Sequence, residues 1–420
     1  MIIGKWRFQV LCEGILRIEW AEDGQFNDKP TAISEKRPLP TTGLNIGKKG
    51  DKIIIFGGVF TIRLKMDAMP CGEHKGLIVE WERGGMAGVW HIGARSSNLG
   101  GWNRGLDCSG MGGRHPRLKD GLLSRAGWHL YDDSRTPLLD DGGNLRARPE
   151  GRRSDWYLFV YGNDFKAGLK DLGILMGQPP LPLSKMFGLW WSRWHPYSDA
   201  ELRALVERFE AEGMPLSALV IDMDWHKPNA WCHWDWNTDL FPKPEKFIKW
   251  CHNRGILVTL NVHPQELLRS DSHFEPFCQQ GGVKIKPSQA QISVNMADPR
   301  QKKAAVDLLI KPIHDMGVDF LWIDGDAAHT GPELFHQYWT NRVFFEAAAK
   351  ARGGKRPVIF SRCGGWGSQR YPIGFSGDTL SDWGVLRHQI AFTASGGNIG
   401  FHYWSNDTGG FVGEHIPEDL

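Results

Sequence analysis

The spacing of apolar residues divides the chain into two patterns. Up to about residue 180 the apolar runs are short and β-branched, aromatic or alternating. Examples are Lys52-Ile-Ile-Ile-Phe56, Val59-Phe-Thr-Ile-Arg-Leu64, Leu77-Ile-Val-Glu-Trp81 and Asp155-Trp-Tyr-Leu-Phe-Val-Tyr161. Glycine and proline clusters punctuate them, so this part reads as all-β, arranged as a β-sandwich. Asn98 to Asp133 is glycine-rich and irregular, with Trp102, Asp107 and Arg114, and reads as a long loop. Gly177-Gln-Pro-Pro-Leu-Pro-Leu183 reads as a stiff linker.

From Phe187 the pattern alternates between strand and helix. Strands are expected near 187–194, 216–226, 256–264, 318–324, 357–362, 374–378 and 398–404. Helices are expected near 199–212, 244–253, 298–316, 332–352 and 381–394. Ser198 with Glu201 carries a capping-box signature, and glycines stop several of these helices. Nearly every strand ends in polar residues. A (β/α)8 barrel has that property, whereas a doubly wound sheet gathers its site at one switch point. No eighth strand-helix unit follows. The expected architecture is therefore a sandwich over 1–180 and a TIM-type barrel over 181–420. That barrel has about seven β/α units, lacks its last strand and helix, and leaves two unpaired edges.

Composition narrows the function classes. The chain has 420 residues, 41% of them hydrophobic, and a net charge of +2. No long run of one charge sign occurs, which removes support for nucleic-acid or membrane-surface binding. No apolar run reaches about 18 residues, and the start lacks an apolar stretch of about 7–15 residues behind a basic head. A cytoplasmic location is the resulting expectation. Seven cysteines without a C-x-x-C pair argue against a disulfide framework and a cysteine zinc site. Tryptophan is abundant at 20 residues, and many stand beside polar ones: Trp190, Trp191, Trp194, Trp225, Trp231, Trp234 and Trp236. Flat aromatic faces fill cores, but they also pack on the C–H faces of sugar rings.

Two segments carry the chemistry. Val318-Asp-Phe-Leu-Trp-Ile-Asp-Gly-Asp326 and Gly374-Phe-Ser-Gly-Asp378 are short apolar runs that end in carboxylates. Two carboxylates facing one cleft are the minimum equipment for breaking a glycosidic bond: one attacks carbon and the other handles a proton. Arg362 ends the fifth strand, where it can hold a nucleophilic aspartate ionised. The second strand ends Ile221-Asp-Met-Asp-Trp-His226, and alternation puts Asp222, Asp224 and His226 on one face. Those three, with His263, are a conceivable metal set. The tryptophans favour the other use of such carboxylates, accepting sugar hydroxyls, so neither metal nor cofactor is expected.

These stretches resemble glycoside hydrolase family 31, the retaining α-glucosidases and α-xylosidases. Trp322-Ile-Asp324 is similar to the family's nucleophile strand. Ser361-Arg362 followed by Gly377-Asp378 resembles its arginine-to-acid/base segment. Ile221-Asp-Met-Asp224 resembles its substrate-hydroxyl strand, and Trp404-Ser-Asn-Asp407-Thr-Gly-Gly-Phe411 its seventh-strand motif. The resemblance implies Asp324 as nucleophile and Asp378 as acid/base. Asp222, Asp224 and Arg362 would grip hydroxyls, with Trp194, Trp322, Phe375 and Phe411 lining the subsite and Asp407 in its floor. It implies a retaining hydrolase of terminal α-linked sugars, first of all α-glucosides, acting on an oligosaccharide or glycoside. α-Xylosidase, α-galactosidase, α-N-acetylgalactosaminidase and transglycosidase activities are alternatives within the family. A non-catalytic carbohydrate-binding role is the alternative from another class. Two departures stand out. The tail after Asp324 is Gly325-Asp-Ala-Ala-His329, with Ala327 where the family has glutamate, and the eighth strand, which brings a sugar-contacting histidine, is missing.

Overall fold

The computed structural model describes all residues except 50, 51, 66, 67, 71–75, 102–117, 228, 229, 326–332, 363, 414, 415, 417 and 420, and the side chains of 49, 52 and 333–338. Trp102, Asp107, Arg114 and Ala327 thus lie outside the described residues. The chain forms two compact units. One gathers the residues up to Pro179 together with Leu386–His402, and the other gathers Pro180–Val385 and Tyr403–Leu420.

The first unit holds two five-stranded antiparallel sheets. One orders Ile2–Ile3, Trp6–Cys12, Ile15–Ala21, Arg153–Val160 and Trp128–Asp132. The other runs in chain order from Asn45–Lys49 through Lys52–Gly57, Phe60–Lys65 and Leu77–Arg83 to Met86–His91. Alternation does the sorting. Phe60, Ile62 and Leu64 are buried while Thr61, Arg63 and Lys65 are not. Phe8, Ile18 and Trp20 of one sheet share a core with Ile55, Phe60 and Trp81 of the other, as a sandwich requires.

The opposite face of the first sheet is charged. Register sets Arg7 against Glu19, and Gln9 and Tyr157 against Arg17. Arg17 Nε reaches Asp155 at 3.0 Å, Arg37 pairs with Asp133 at 2.9 Å and Asp155 at 3.0 Å, and Arg148 adds Asp155 at 3.3 Å. Arg7, Arg17, Arg37, Glu19, Asp133 and Asp155 are all buried. A helix not foreseen in the sequence, Phe165–Met176, follows; Asp164 caps it by accepting the Ala167 N–H.

The second unit is built on one curled sheet of seven parallel strands in chain order. They are Leu189–Trp191, Leu216–Ile221, Leu257–Val262, Phe320–Ile323, Phe360–Ser361, Gly374–Phe375 and Trp404–Ser405. A doubly wound sheet would reverse its order at a switch point, and this one never does. Among the described residues no pairing joins the first strand to the seventh, so the barrel is incomplete. The strands are shorter than their apolar runs. The seventh departs most, because Gly397–Ile399 is a 3₁₀ turn where strand was expected. The capping box at Ser198 is present, and the helix Asp199–Ala211 follows it. The helix expected over 298–316 is interrupted: Ala305–Ile310 widens into a π turn just before Lys311–Asp315. Pro312 supplies the reason, since it has no N–H for the preceding turn. Two elements were not anticipated: the helix Phe274–Gly281 and the hairpin Glu266–Leu268 with Gln291–Ser293. No helix among the described residues is long and apolar enough to cross a membrane.

Candidate active site

The barrel interior follows one parity rule. Ala218 and Val220, Phe320 and Trp322, and Val358 and Phe360 are inward pairs that share one apolar cluster. Two residues further along the same parity come Asp222, Asp324 and Arg362. Asn261 keeps the parity of Leu257 two steps further on, and Asp407 that of Tyr403. All five emerge at the carboxyl ends of their strands and line one cavity of about 450 Å³. That end of a barrel is where its sites are built, and the volume suits a drug-sized ligand.

Asp378 reaches the same cavity by another route. Gly374–Phe375 ends its strand, Gly377 takes φ of +73°, and this turn brings Asp378 off parity into the cleft. Arg362 joins the two expected carboxylates. Its Nε lies 2.7 Å from Asp324 Oδ1 as an ion pair, and its Nη2 donates to Asp378 Oδ1. A guanidinium is only a few bonds across, so the two acids lie well inside the upper limit of about 9.5 Å for carboxylate pairs of glycosidases. Asp324 is fixed further. Its Oδ2 accepts from Asn261 Nδ2 at 2.9 Å and its Oδ1 from the Gly325 N–H at 2.7 Å. Gly325 has φ of +80°, and the space a Cβ would need there is filled by Gln265 and His263.

The charge in this pocket does not balance. Asp222, Asp324, Asp378 and Asp407 line it, and Arg362 is the only lysine or arginine among the described lining residues. Burial, with repulsion from Asp324 and Asp407, pushes Asp222 up to about 7, although the Met223 N–H opposes the shift. Burial and the neighbouring Asp378 and Asp324 push Asp407 up to about 7 as well. Burial lowers His263, so it contributes no countercharge at neutral pH.

The mouth is aromatic. Trp194 stacks on Phe411 with ring centres 6.0 Å apart and an angle of 15°, and meets Trp231 edge-on at 5.7 Å. Trp231 in turn stands 5.1 Å from His263. Trp194, Trp231 and Phe411 are exposed. Of the seven tryptophans singled out in the sequence, Trp194 and Trp231 line the cavity. Trp225 and Trp234 are buried instead.

Two residues expected at this site sit elsewhere. Phe375 is fully buried and packs against Trp322 and Phe360, beneath the cavity rather than on its wall. Asp224 does not line the cavity because the second strand stops at Ile221. Met223–Trp225 is a 3₁₀ turn capped by Asp222, and strand alternation no longer applies there. The same turn breaks up the metal set, since Asp222 and His263 line the cavity while Asp224 and His226 do not. A different group, His233, Asp235 and Asp271, brings ligand-type atoms within 4.8 Å of one another. Asp271 there already pairs with His233 at 3.0 Å and His273 at 2.7 Å. The sequence reading missed Asn261, Gln265, Glu266 and Ser293 as lining residues. The parity rule would have found Asn261; the other three depend on the unforeseen hairpin.

Comparison with known proteins places this geometry. The model of the glycosyl hydrolases family 31 TIM-barrel domain matches residues 179–420. An α-xylosidase of Saccharolobus solfataricus is 26% identical over 285 residues, 62% of this chain and 38% of that enzyme. Alpha-glucosidase 2 of Bacillus thermoamyloliquefaciens is 25% identical over 304 residues, 63% of this chain and 37% of that enzyme. The chain thus spans well under half the length of these relatives. The solved structure of a GH31 α-xylosidase from a soil metagenome, complexed with xylose, superposes with a TM-score of 0.71 at 17% identity. The match covers 98% of this chain and 71% of that one.

Proposed function

The chain belongs to glycoside hydrolase family 31, and from that membership we propose that its pocket cleaves terminal α-linked sugars with retention of configuration. Asp324 attacks the anomeric carbon and forms a covalent glycosyl-enzyme. Asp378 gives its proton to the leaving oxygen and then takes one from water. Arg362 holds Asp324 in line through its ion pair. It also holds Asp378, a contact that the incoming sugar replaces. Asp222 and Asp407 accept ring hydroxyls, while Trp194, Trp322 and Phe411 pack the apolar faces. The observation that carries this reading is the single guanidinium touching both Asp324 and Asp378.

The test has two parts. Proton NMR of the first product should show the α-anomer before mutarotation. Asp324→Ala should remain folded but lose turnover by about 10⁴-fold or more, and azide should restore part of it. Unchanged turnover in that variant would end the proposal. Binding of sugars by calorimetry, without release from any aryl glycoside, would replace it with a non-catalytic carbohydrate-binding role.

α-Glucosides are the first substrate reading. α-Xylosides are the second, favoured by the Saccharolobus solfataricus relative named for that activity. A panel of aryl α-glucoside, α-xyloside, α-galactoside and N-acetyl-α-galactosaminide ranks them, and transfer to added acceptor sugars measures transglycosylation.

A further inference from the structure

The cavity has two chemically different ends. Its floor carries the buried Asp222 and Asp324, and its mouth carries the exposed Trp231 beside Glu266. These last two are tied together. Glu266 lies close enough to Cys232, the chain neighbour of Trp231, for its charge to act on that thiol. Glu266 stands on the hairpin opposite Ser293, and Leu267, next along its strand and opposite Ile292, is fully buried and anchors the strand. Gln291 Nε2 donates to Glu266 Oε1 at 3.0 Å, which orients the carboxylate. Among the described residues no protein donor reaches Oε2, and the residue borders the cavity. Nothing in the cleavage chemistry proposed above uses either side chain.

We propose that Trp231 and Glu266 form a leaving-group subsite for a second, neutral sugar ring. The Trp231 face covers the C–H side of that ring, and the outer oxygen of Glu266 accepts its hydroxyls. An aromatic face beside an oriented acceptor suits a polyol with an apolar face. It does not suit a phosphorylated or carboxylated aglycone, which Glu266 repels. The inference rests on the pocket being a sugar site, and it adds which part of the substrate the hairpin reads.

The experiment compares two donors carrying the same first sugar, its α-fluoride and its α-linked disaccharide, in wild type, Trp231→Ala and Glu266→Gln. For the disaccharide, kcat/KM should fall by about 10–100-fold in Trp231→Ala, the range stacking losses give, and by a smaller factor in Glu266→Gln. For the fluoride, which has no second ring, it should stay within about twofold. Calorimetry with the free monosaccharide and a sulfur-linked disaccharide runs in parallel. Wild type should bind the disaccharide more tightly, and the variants should lose that preference alone. Equal losses on both donors, or variants that keep the disaccharide preference, would overturn the subsite. An inert wild type that still prefers the disaccharide would overturn the catalytic reading and leave the subsite standing.

Discussion

The two units bury charge in opposite ways. In the sandwich, Arg7, Arg17, Arg37 and Arg148 interlock with Glu19, Asp28, Asp133 and Asp155, cation for anion. Burial alone would raise Asp155, yet Arg37, Arg17 and Arg148 hold it well below the usual carboxylate range. In the barrel, four aspartates share Arg362, and two of them are pushed up to about 7. A network with one cation for each anion is neutralised from within, although burial still pushes its Asp133 up to about 6. An unbalanced one stays unfavourable until a ligand supplies hydrogen-bond donors, which is how a binding site differs from a structural one.

The largest break in this contrast comes from removing the lone cation. Arg362→Met should cut kcat/KM on an aryl glycoside by roughly 10³-fold, the scale of losing a key electrostatic group, with the fold retained by circular dichroism. The sandwich counterpart is Asp155→Asn, which leaves Arg17, Arg37 and Arg148 short of an anion. It should lower unfolding stability by roughly 3–5 kcal/mol in urea titration, while activity per folded molecule holds.

Asp155 and Asp222 should also answer pH with opposite signs. Asp155, depressed in the fold, contributes stability above its unfolded value of about 3.9 and loses it as pH falls. Asp222 is raised, so the unfolded chain ionises first. Stability therefore declines as pH climbs from about 4 to about 7 and is flat beyond. Asp222→Asn should melt like wild type at pH 4 and higher than wild type at pH 8, by a few kcal/mol at most. The same melting point at both pH values would show that Asp222 is not destabilised in the fold. The smallest effect serves as a control. Arg63 and Glu80 pair at 2.9 Å in the sandwich but stand in solvent, so Arg63→Ala should leave the urea midpoint within experimental error of wild type. A larger loss would mean that pairing rather than burial sets the scale.

Where chain periodicity controls geometry, the sequence was readable. Seven apolar runs became seven parallel strands. The inward parity that buries Val220, Trp322 and Phe360 carries directly to Asp222, Asp324 and Arg362. The same parity buries Phe375, but a subsite role had been assigned to it by resemblance rather than by counting. Asp378 lies off the pattern because Gly377 turns the chain with positive φ. Asp224 was misplaced because alternation was carried past the end of a strand. The hairpin with Glu266 was invisible for a different reason. Its strands are three residues each, with Leu267 and Ile292 their only buried positions, too short to show a period. The charged face of the sandwich also escaped notice, since Arg7, Arg17, Arg37 and Asp155 read as ordinary surface residues until register aligns them.

Gly325 sets a limit on how this protein can diversify. No side chain fits beside Asp324, because His263 and Gln265 already occupy that volume. A side chain there would strain a backbone at positive φ and force both neighbours to move. The backbone beside the proposed nucleophile is thereby pinned by the walls of its own cavity.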